Sequence, residues 1–133
     1  ETGRELLERK RAGSIVLISS IVGRSSVAGG VGYVSVKAGV AGMARQLGVE
    51  WAARGVRVNA VAPGLTRTEG ARRTLTPSEA AVRIPVGRVA TPQDIGELCA
   101  FLLSDRASYI TAQEIAVDGG LSAVGQAFSG PPR

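Results

Sequence analysis

The chain has 133 residues, 44% hydrophobic, 4% aromatic and 20% charged, with 18 glycines. That balance fits one α/β-type globular domain and excludes a disordered, collagen-like or coiled-coil chain. Histidine is absent, which excludes His-based triads, histidine metal sites and imidazole proton shuttles, so chemistry has to come from Ser, Tyr, Lys, Arg or carboxylates and no metal site is expected.

The net charge of +5 rests on 16 basic residues, of which only Lys10 and Lys37 are lysines. Their densest cluster, Arg9, Lys10 and Arg11, has no interleaved aromatics and belongs to no nucleic-acid module, so a solvated arginine-rich surface is the better reading than a nucleic-acid interface. The single cysteine, Cys99, can form neither an intramolecular disulfide nor a cysteine zinc cluster, and reads as a buried thiol in a reducing, cytoplasmic compartment. No apolar run approaches the ~20 residues of a membrane span, and the first residues do not form a signal peptide.

The chain opens on Glu1, inside an element. Leu6, Leu7 and the charges around them read as the last turns of a helix ended by Gly13, so residues 1–13 are expected to be a helix end. Ile15, Val16, Leu17 and Ile18 form a continuous, mostly β-branched run, the signature of a strand covered on both faces in a parallel sheet, which stops at Ser19 and Ser20. A Gly/Ser-rich loop follows. From Tyr33 to about Ala53 the spacing of Val36, Val40, Met43, Leu47 and Trp51 predicts a long helix, ended by Gly55. Val56, Val58, Ala60 and Val61 make a second strand closed by Pro63 and Gly64, so strand, helix and strand form a right-handed βαβ unit.

Thr76-Pro77-Ser78-Glu79 and Thr91-Pro92-Gln93-Asp94 both place an N-cap, an N1 proline and an acidic N3 in the order of a capping box, and each starts a helix. The second carries Ile95, Leu98, Cys99 and Leu102 on one face. Ile115, Ala116 and Val117 supply a third short strand before the Asp118-Gly119-Gly120 turn. The end of the chain, 123–133, reads as a flexible tail, frayed from Gln126 on. Three parallel strands with crossover helices make part of a doubly wound α/β sheet, where ligands gather at the carboxyl ends of the strands. Those ends hold Ser19 and Ser20, then Pro63 and Gly64.

Tyr33 and Lys37 stand four residues apart at the start of the long helix, so both project from one face. A fixed ammonium within ~4 to 6 Å of a phenol favours the ionised form, which lets a tyrosine give and take a proton near neutral pH. Ser20, thirteen residues before Tyr33, ends the strand at the same edge of the sheet and could donate a hydrogen bond to a carbonyl oxygen. Its neighbour Ser19 competes for that role, and Ser20 could simply cap the loop.

The strand GSIVLISS, then Tyr33-Val-Ser-Val-Lys37, then VRVNAVAPG at 56–64 and EIAVDGG at 114–120, closely resembles the C-terminal half of the classical short-chain dehydrogenases/reductases, over residues 14–122. The VAPG turn, Tyr109-Ile-Thr111 and the DGG ending are similar to the 3-oxoacyl-[acyl-carrier-protein] reductase branch. The resemblance implies a Rossmann-like fold and hydride transfer between NAD or NADP and a carbonyl or secondary alcohol. It makes Tyr33 the catalytic acid-base. Lys37 becomes the cation that favours its phenolate and binds the nicotinamide-ribose hydroxyls, and Ser20 the group that polarises the carbonyl. Pro63 and Gly64 match the turn under the nicotinamide, Thr68 the threonine on the carboxamide, and Thr66 contributes backbone nearby. The stretch from Arg67 to Ala81 matches the substrate lid, and Asn59 points to strand-end structure more than to chemistry. Partners implied are a small-molecule substrate, no nucleic acid, no membrane, and a homodimeric or homotetrameric parent.

The family's first half is not matched. No G-x-G-x-x-G turn for the pyrophosphate occurs in the sequence, nor does the asparagine that precedes the serine strand. The expectation is therefore residues 1–133 as the C-terminal half of one Rossmann-like domain, with residues 14–122 its catalytic half. The serine strand becomes an edge. A second reading is a non-catalytic chain that keeps the site residues but does not hold the dinucleotide.

Overall fold

The structure, a computed structural model, describes residues 2–68 and 75–124. Its elements in chain order are α1 (Thr2–Glu8), β1 (Gly13–Ile18), a 3-10 turn (Ile21–Arg24), α2 (Val31–Ala52), β2 (Val56–Pro63), α3 (Pro77–Arg83), α4 (Pro92–Leu103), a second 3-10 turn (Asp105–Ala107) and β3 (Glu114–Val117). The strands pair in parallel in the order β1-β2-β3. Register brings Ile18 beside Val61 and Pro63 beside Val117, so the carboxyl ends of all three strands share one end of the sheet.

Alternation along the strands divides the core in two. Val56, Val58 and Ala60 of β2 pack with Ala44, Leu47 and Trp51 of α2, with Ile15 and Leu17 of β1, and with Leu6 and Leu7 of α1. Val61 packs on the other face with Leu102, Ile95 and Leu98 of α4. β2 is the central strand, and its residues from Val58 to Ala62 are all fully buried. β1 pairs on one side only and stays half-buried along most of its length, as an edge strand must.

Three sequence expectations need correction. The first helix ends at Glu8, before Gly13, because Lys10 itself takes the left-handed conformation (φ +51°). The Lys10 N–H then donates to the Leu7 carbonyl at 3.2 Å and that of Arg11 to the Leu6 carbonyl at 2.9 Å, a Schellman closure. Gly13 is already the first residue of β1. Second, the stripe of α2 mixes two faces: Val36 and Met43 are exposed, while Ala41, Ala44 and Gly48 are buried against the sheet. Small residues lie inward because the helix sits too close to β2 for larger ones; a Cβ at Gly48 would come 2.6 Å from the Ala112 nitrogen and 2.8 Å from the Val58 carbonyl oxygen. Third, the Gly/Ser loop contains a 3-10 turn, Ile21–Arg24, with Ser20 as its N-cap.

Both capping boxes form, at Thr76 with Glu79 and at Thr91 with Asp94, and each helix has proline in its first turn. Gly55, Gly119 and Gly120 take positive φ at the two turns assigned to them. Part of the expected lid, 69–74, and the tail beyond residue 124 lie outside the described residues. Among the described residues no helix is long and apolar enough to cross a membrane, and no group of His, Cys, Asp or Glu could hold a metal.

Candidate active site

The site grows out of the carboxyl ends of β1 and β2 and the first turns of α2. The close approach of α2 to β2 sets the height at which its N-terminal residues reach the sheet end. Tyr33 is 57% exposed. One turn on, Lys37 Nζ lies 5.6 Å from the Tyr33 ring centroid and donates a 3.0 Å hydrogen bond to the Ile18 carbonyl at the end of β1. That bond uses one of the ammonium's three donors. The lysine is thereby tethered to the sheet while keeping hydrogen-bonding capacity toward the cavity.

Ser19 and Ser20 are both buried, but their hydroxyls do different things. Ser19 Oγ lies 2.6 Å from Glu114 Oε1 and 3.1 Å from the Val61 carbonyl, so its proton is committed within the fold. Ser20 Oγ accepts the Val22 N–H at 3.4 Å, which leaves its own proton to donate. Ser20 therefore does cap the turn, and the capping bond is compatible with donation into the cavity.

Two cavities meet here. The smaller, about 490 Å³, is lined by Lys37, Pro63, Thr68, Ile95 and Cys99 among others. The larger, about 770 Å³, is walled by apolar Ile21, Val22, Val27 and Leu65, with Glu79 and Arg83 of α3 bordering it. Ser20, Tyr33, Gly64 and Thr66 line both. Ser19 reaches only the smaller.

Every site residue singled out from the sequence is thus gathered at one end of the sheet. The local reasons differ. Pro63 ends β2 and Gly64 passes so close to the Asp118 turn that a Cβ there would lie 2.6 Å from the Asp118 Cβ, which ties this glycine to chain packing. Thr66 Oγ1 donates to the Gly64 carbonyl at 3.2 Å, and its backbone bridges to Ala90. Thr68 is exposed. Asn59 is fully buried, donating to the Ile110 carbonyl at 2.9 Å and accepting from the Gln113 N–H at 3.1 Å, a structural link between β2 and the turn before β3.

Glu79 on the border of the larger cavity falls within the stretch matched to the lid, whereas sequence reasoning missed Arg83 on that border, Cys99 in the smaller cavity, and an ion pair between Arg24 and Glu114 (2.5 Å). Cys99 was legible as part of the inward face of α4, but it is half-buried rather than buried because it borders the smaller cavity; that partial burial pushes its thiol up from the usual value. Arg24 and Glu114 are ninety residues apart, and no local pattern joins them.

The sequence profile of the family described as enoyl-(acyl carrier protein) reductase matches residues 2–122. Among curated relatives, the 3-oxoacyl-[acyl-carrier-protein] reductase FabG of Thermotoga maritima is 44% identical over 120 residues, 85% of this chain and 47% of that protein. An uncharacterized oxidoreductase of Bacillus subtilis, YmfI, is 44% identical over 115 residues, 84% of this chain and 47% of its own. Among solved structures, 4-hydroxyisoleucine dehydrogenase complexed with NADH superposes with a TM-score of 0.82 at 30% identity, covering 92% of this chain and 52% of the other. The chain spans about half the length of the curated relatives it matches.

Proposed function

Because this chain belongs to the short-chain dehydrogenase/reductase family, we propose that its site takes part in hydride transfer between NAD or NADP and a carbonyl or secondary alcohol, with a 3-oxoacyl thioester as the substrate class its reductase relatives favour. The observation that carries this reading is the meeting of two cavities at Ser20 and Tyr33, with the Lys37 ammonium on the side of the smaller one. A reaction between two bound molecules needs such a seam.

The residues fit the nicotinamide-ribose half of a dinucleotide. Lys37 has donors left after its bond to Ile18 and would hold ribose hydroxyls, with the Tyr33 hydroxyl beside them. Pro63 and Gly64 would lie against the ring, and Thr68, with the Thr66 backbone, would meet the carboxamide. The pyrophosphate cradle typical of the fold is a G-x-G-x-x-G turn, which this sequence does not contain. When bound, the dinucleotide supplies or accepts the hydride at the carbonyl carbon.

In reduction, Tyr33 gives its hydroxyl proton to the carbonyl oxygen as charge develops there, and Lys37 stabilises the phenolate that remains. Ser20 donates a second hydrogen bond to the same oxygen, which fixes the carbonyl's orientation and supports its negative charge. In alcohol oxidation the same groups act in reverse, the Tyr33 phenolate taking the hydroxyl proton. The apolar wall of the larger cavity excludes water from the reacting carbon and receives the rest of the substrate.

The test is Tyr33→Phe, followed by dinucleotide oxidation with a 3-oxoacyl thioester. Turnover should fall by about 10²- to 10⁴-fold, the usual contribution of a positioned acid-base group, with dinucleotide affinity little changed. A loss of less than about tenfold overturns the role given to Tyr33.

A further inference from the structure

The catalytic reading rests on Ser20, whose hydroxyl must point at one oxygen atom with little freedom. Ser20 sits in the segment from Ser19 to Arg24, a loop and a 3-10 turn too short to hold a position alone. Both ends of that segment are tied to one residue of another strand. At its start, Ser19 Oγ contacts Glu114 Oε1 at 2.6 Å. At its end, Arg24 Nε donates to Glu114 Oε2 at 2.5 Å, and the same guanidinium also donates to the Glu114 backbone carbonyl.

Glu114 opens β3, where it pairs with Ala60 of the central strand. Its side chain is only 8% exposed, against 46% for Arg24. A carboxylate removed from water is strongly disfavoured without partners. Here the Ser19 hydroxyl and the Arg24 guanidinium, one on each oxygen, are those partners. The middle of the segment is held from below: a Cβ at Gly23 would come 3.0 Å from the Lys37 carbonyl carbon and the Ala38 nitrogen, so the turn rests on the α2 backbone at the level of Lys37.

We propose that Glu114 and Arg24 are positioning residues for Ser20: the buried carboxylate clamps both ends of the 19–24 segment and so fixes the Ser20 hydroxyl relative to Tyr33 and Lys37. This rests on the reading of Ser20 as the carbonyl-orienting group. The geometry has a direct consequence. Loosening the clamp frees the turn and its serine edge of the smaller cavity but leaves Tyr33 and Lys37 on α2 and Pro63 and Thr68 in place, so dinucleotide binding stays while carbonyl orientation is lost.

The experiment compares the 133-residue chain with Arg24→Ala, Arg24→Lys and Glu114→Gln by amide hydrogen exchange, and by reduction kinetics with Ser20→Ala in parallel. In Arg24→Ala, amides of residues 20–24 should exchange about tenfold faster or more, while those of β2 and the middle of α2 change little, because only the local tie is lost. In the kinetics, kcat should fall by about tenfold or more with KM for the dinucleotide unchanged, the cost of a slightly misplaced group. Arg24→Lys, which keeps a cation, should recover part of both effects. Glu114→Gln, which keeps two hydrogen-bonding atoms but not the charge, should fall between. Unchanged exchange at 20–24, or a uniform rise across the chain, overturns the clamp. If Ser20→Ala leaves kcat unaltered, or the wild-type chain shows no reduction at all, the functional reading fails, and the exchange pattern still decides whether the clamp exists.

Discussion

Helices α2 and α4 cover opposite faces of the same three strands, and they are held by different kinds of contact. Against α2 the sheet meets Ala44 and Gly48, residues with almost no side chain, so backbone lies nearly on backbone there, with Leu47 and Trp51 filling the space beside them. The Thr111 hydroxyl reaches the Gly48 carbonyl at 3.3 Å and the Val58 N–H at 3.1 Å, stitching helix, strand and turn together. Against α4 the sheet meets Leu102, Ile95 and Leu98, long side chains that fill space and can repack. A helix set down on backbone has almost no freedom to shift, whereas one set on aliphatic side chains can move by tenths of an ångström at small cost. The helix without freedom is the one that carries Tyr33 and Lys37.

The strongest way to break this comparison is to put a side chain where α2 has none. Gly48→Leu would drive atoms into the Val58 carbonyl and the Ala112 nitrogen, both backbone, and the chain should fail to unfold cooperatively in circular dichroism melts. Gly48→Ala, the milder version, is expected to destabilise by about 1–3 kcal/mol or more, and to lower turnover in the molecules that still fold, because it lifts the Tyr33 helix. A Gly48→Ala protein as stable and as active as its parent would show that α2 is not held by close approach.

Leu102→Ala probes the other face. Leu102 is fully buried in the α4 cluster, so the expected cost is about 2–5 kcal/mol, read from denaturant midpoints. The folded fraction should keep its dinucleotide affinity and turnover. If activity falls in proportion to Gly48→Ala at equal stability, the two faces are equivalent as supports for the site.

The difference between the faces also explains what could be read from the chain. α4 was legible in full, with its capping box, its proline and its apolar face, because each of those signals is local and α4 packs by hydrophobic side chains. α2 was legible as a helix, and its buried face in part, since Leu47 and Trp51 of the stripe pack into the core. Val36 and Met43 of the same stripe point outward, since the rest of the buried face is made by Ala41, Ala44 and Gly48, small residues that leave little hydrophobic signal. Tyr33 and Lys37 stood out because four-residue spacing is a local relation. Arg24 and Glu114 did not, because their partnership exists only after the sheet has brought ninety residues of chain together.

Acid separates the regions more gently. Asp94 is held well below the usual carboxylate range by the two-pronged Arg88 pair and by the Thr91 capping bonds. At Asp118 burial works in the opposite direction, but hydrogen bonds from Ser122 and Gly120 outweigh it and the net shift is again downward. Both carboxylates bind protons more weakly folded than unfolded, so the stability they contribute is present above a pH of about 4 and is lost as the pH falls below it. The melting temperature should drop through that range, and less steeply in Asp94→Asn. An acid limb unchanged by that substitution would remove the Arg88 pair from the explanation.

The smallest effect is expected at Val36, and it is the sharpest check on which face of α2 is buried. The periodicity of the sequence places Val36 in the apolar stripe, while the structure leaves it 63% exposed. Valine and serine have similar helix propensities, so Val36→Ser changes little except the apolar surface offered at that point. If the side chain faces water, the change in unfolding free energy should stay within about 0.5 kcal/mol, the range of ordinary surface substitutions. If the stripe were the buried face, removing a β-branched aliphatic and burying a hydroxyl in its place would cost several times more, about 2 kcal/mol or above. Chemical denaturation at low protein concentration distinguishes the two. A large loss at Val36 together with a small one at Ala44 would reverse the orientation of α2 and, with it, the placement of Tyr33 and Lys37.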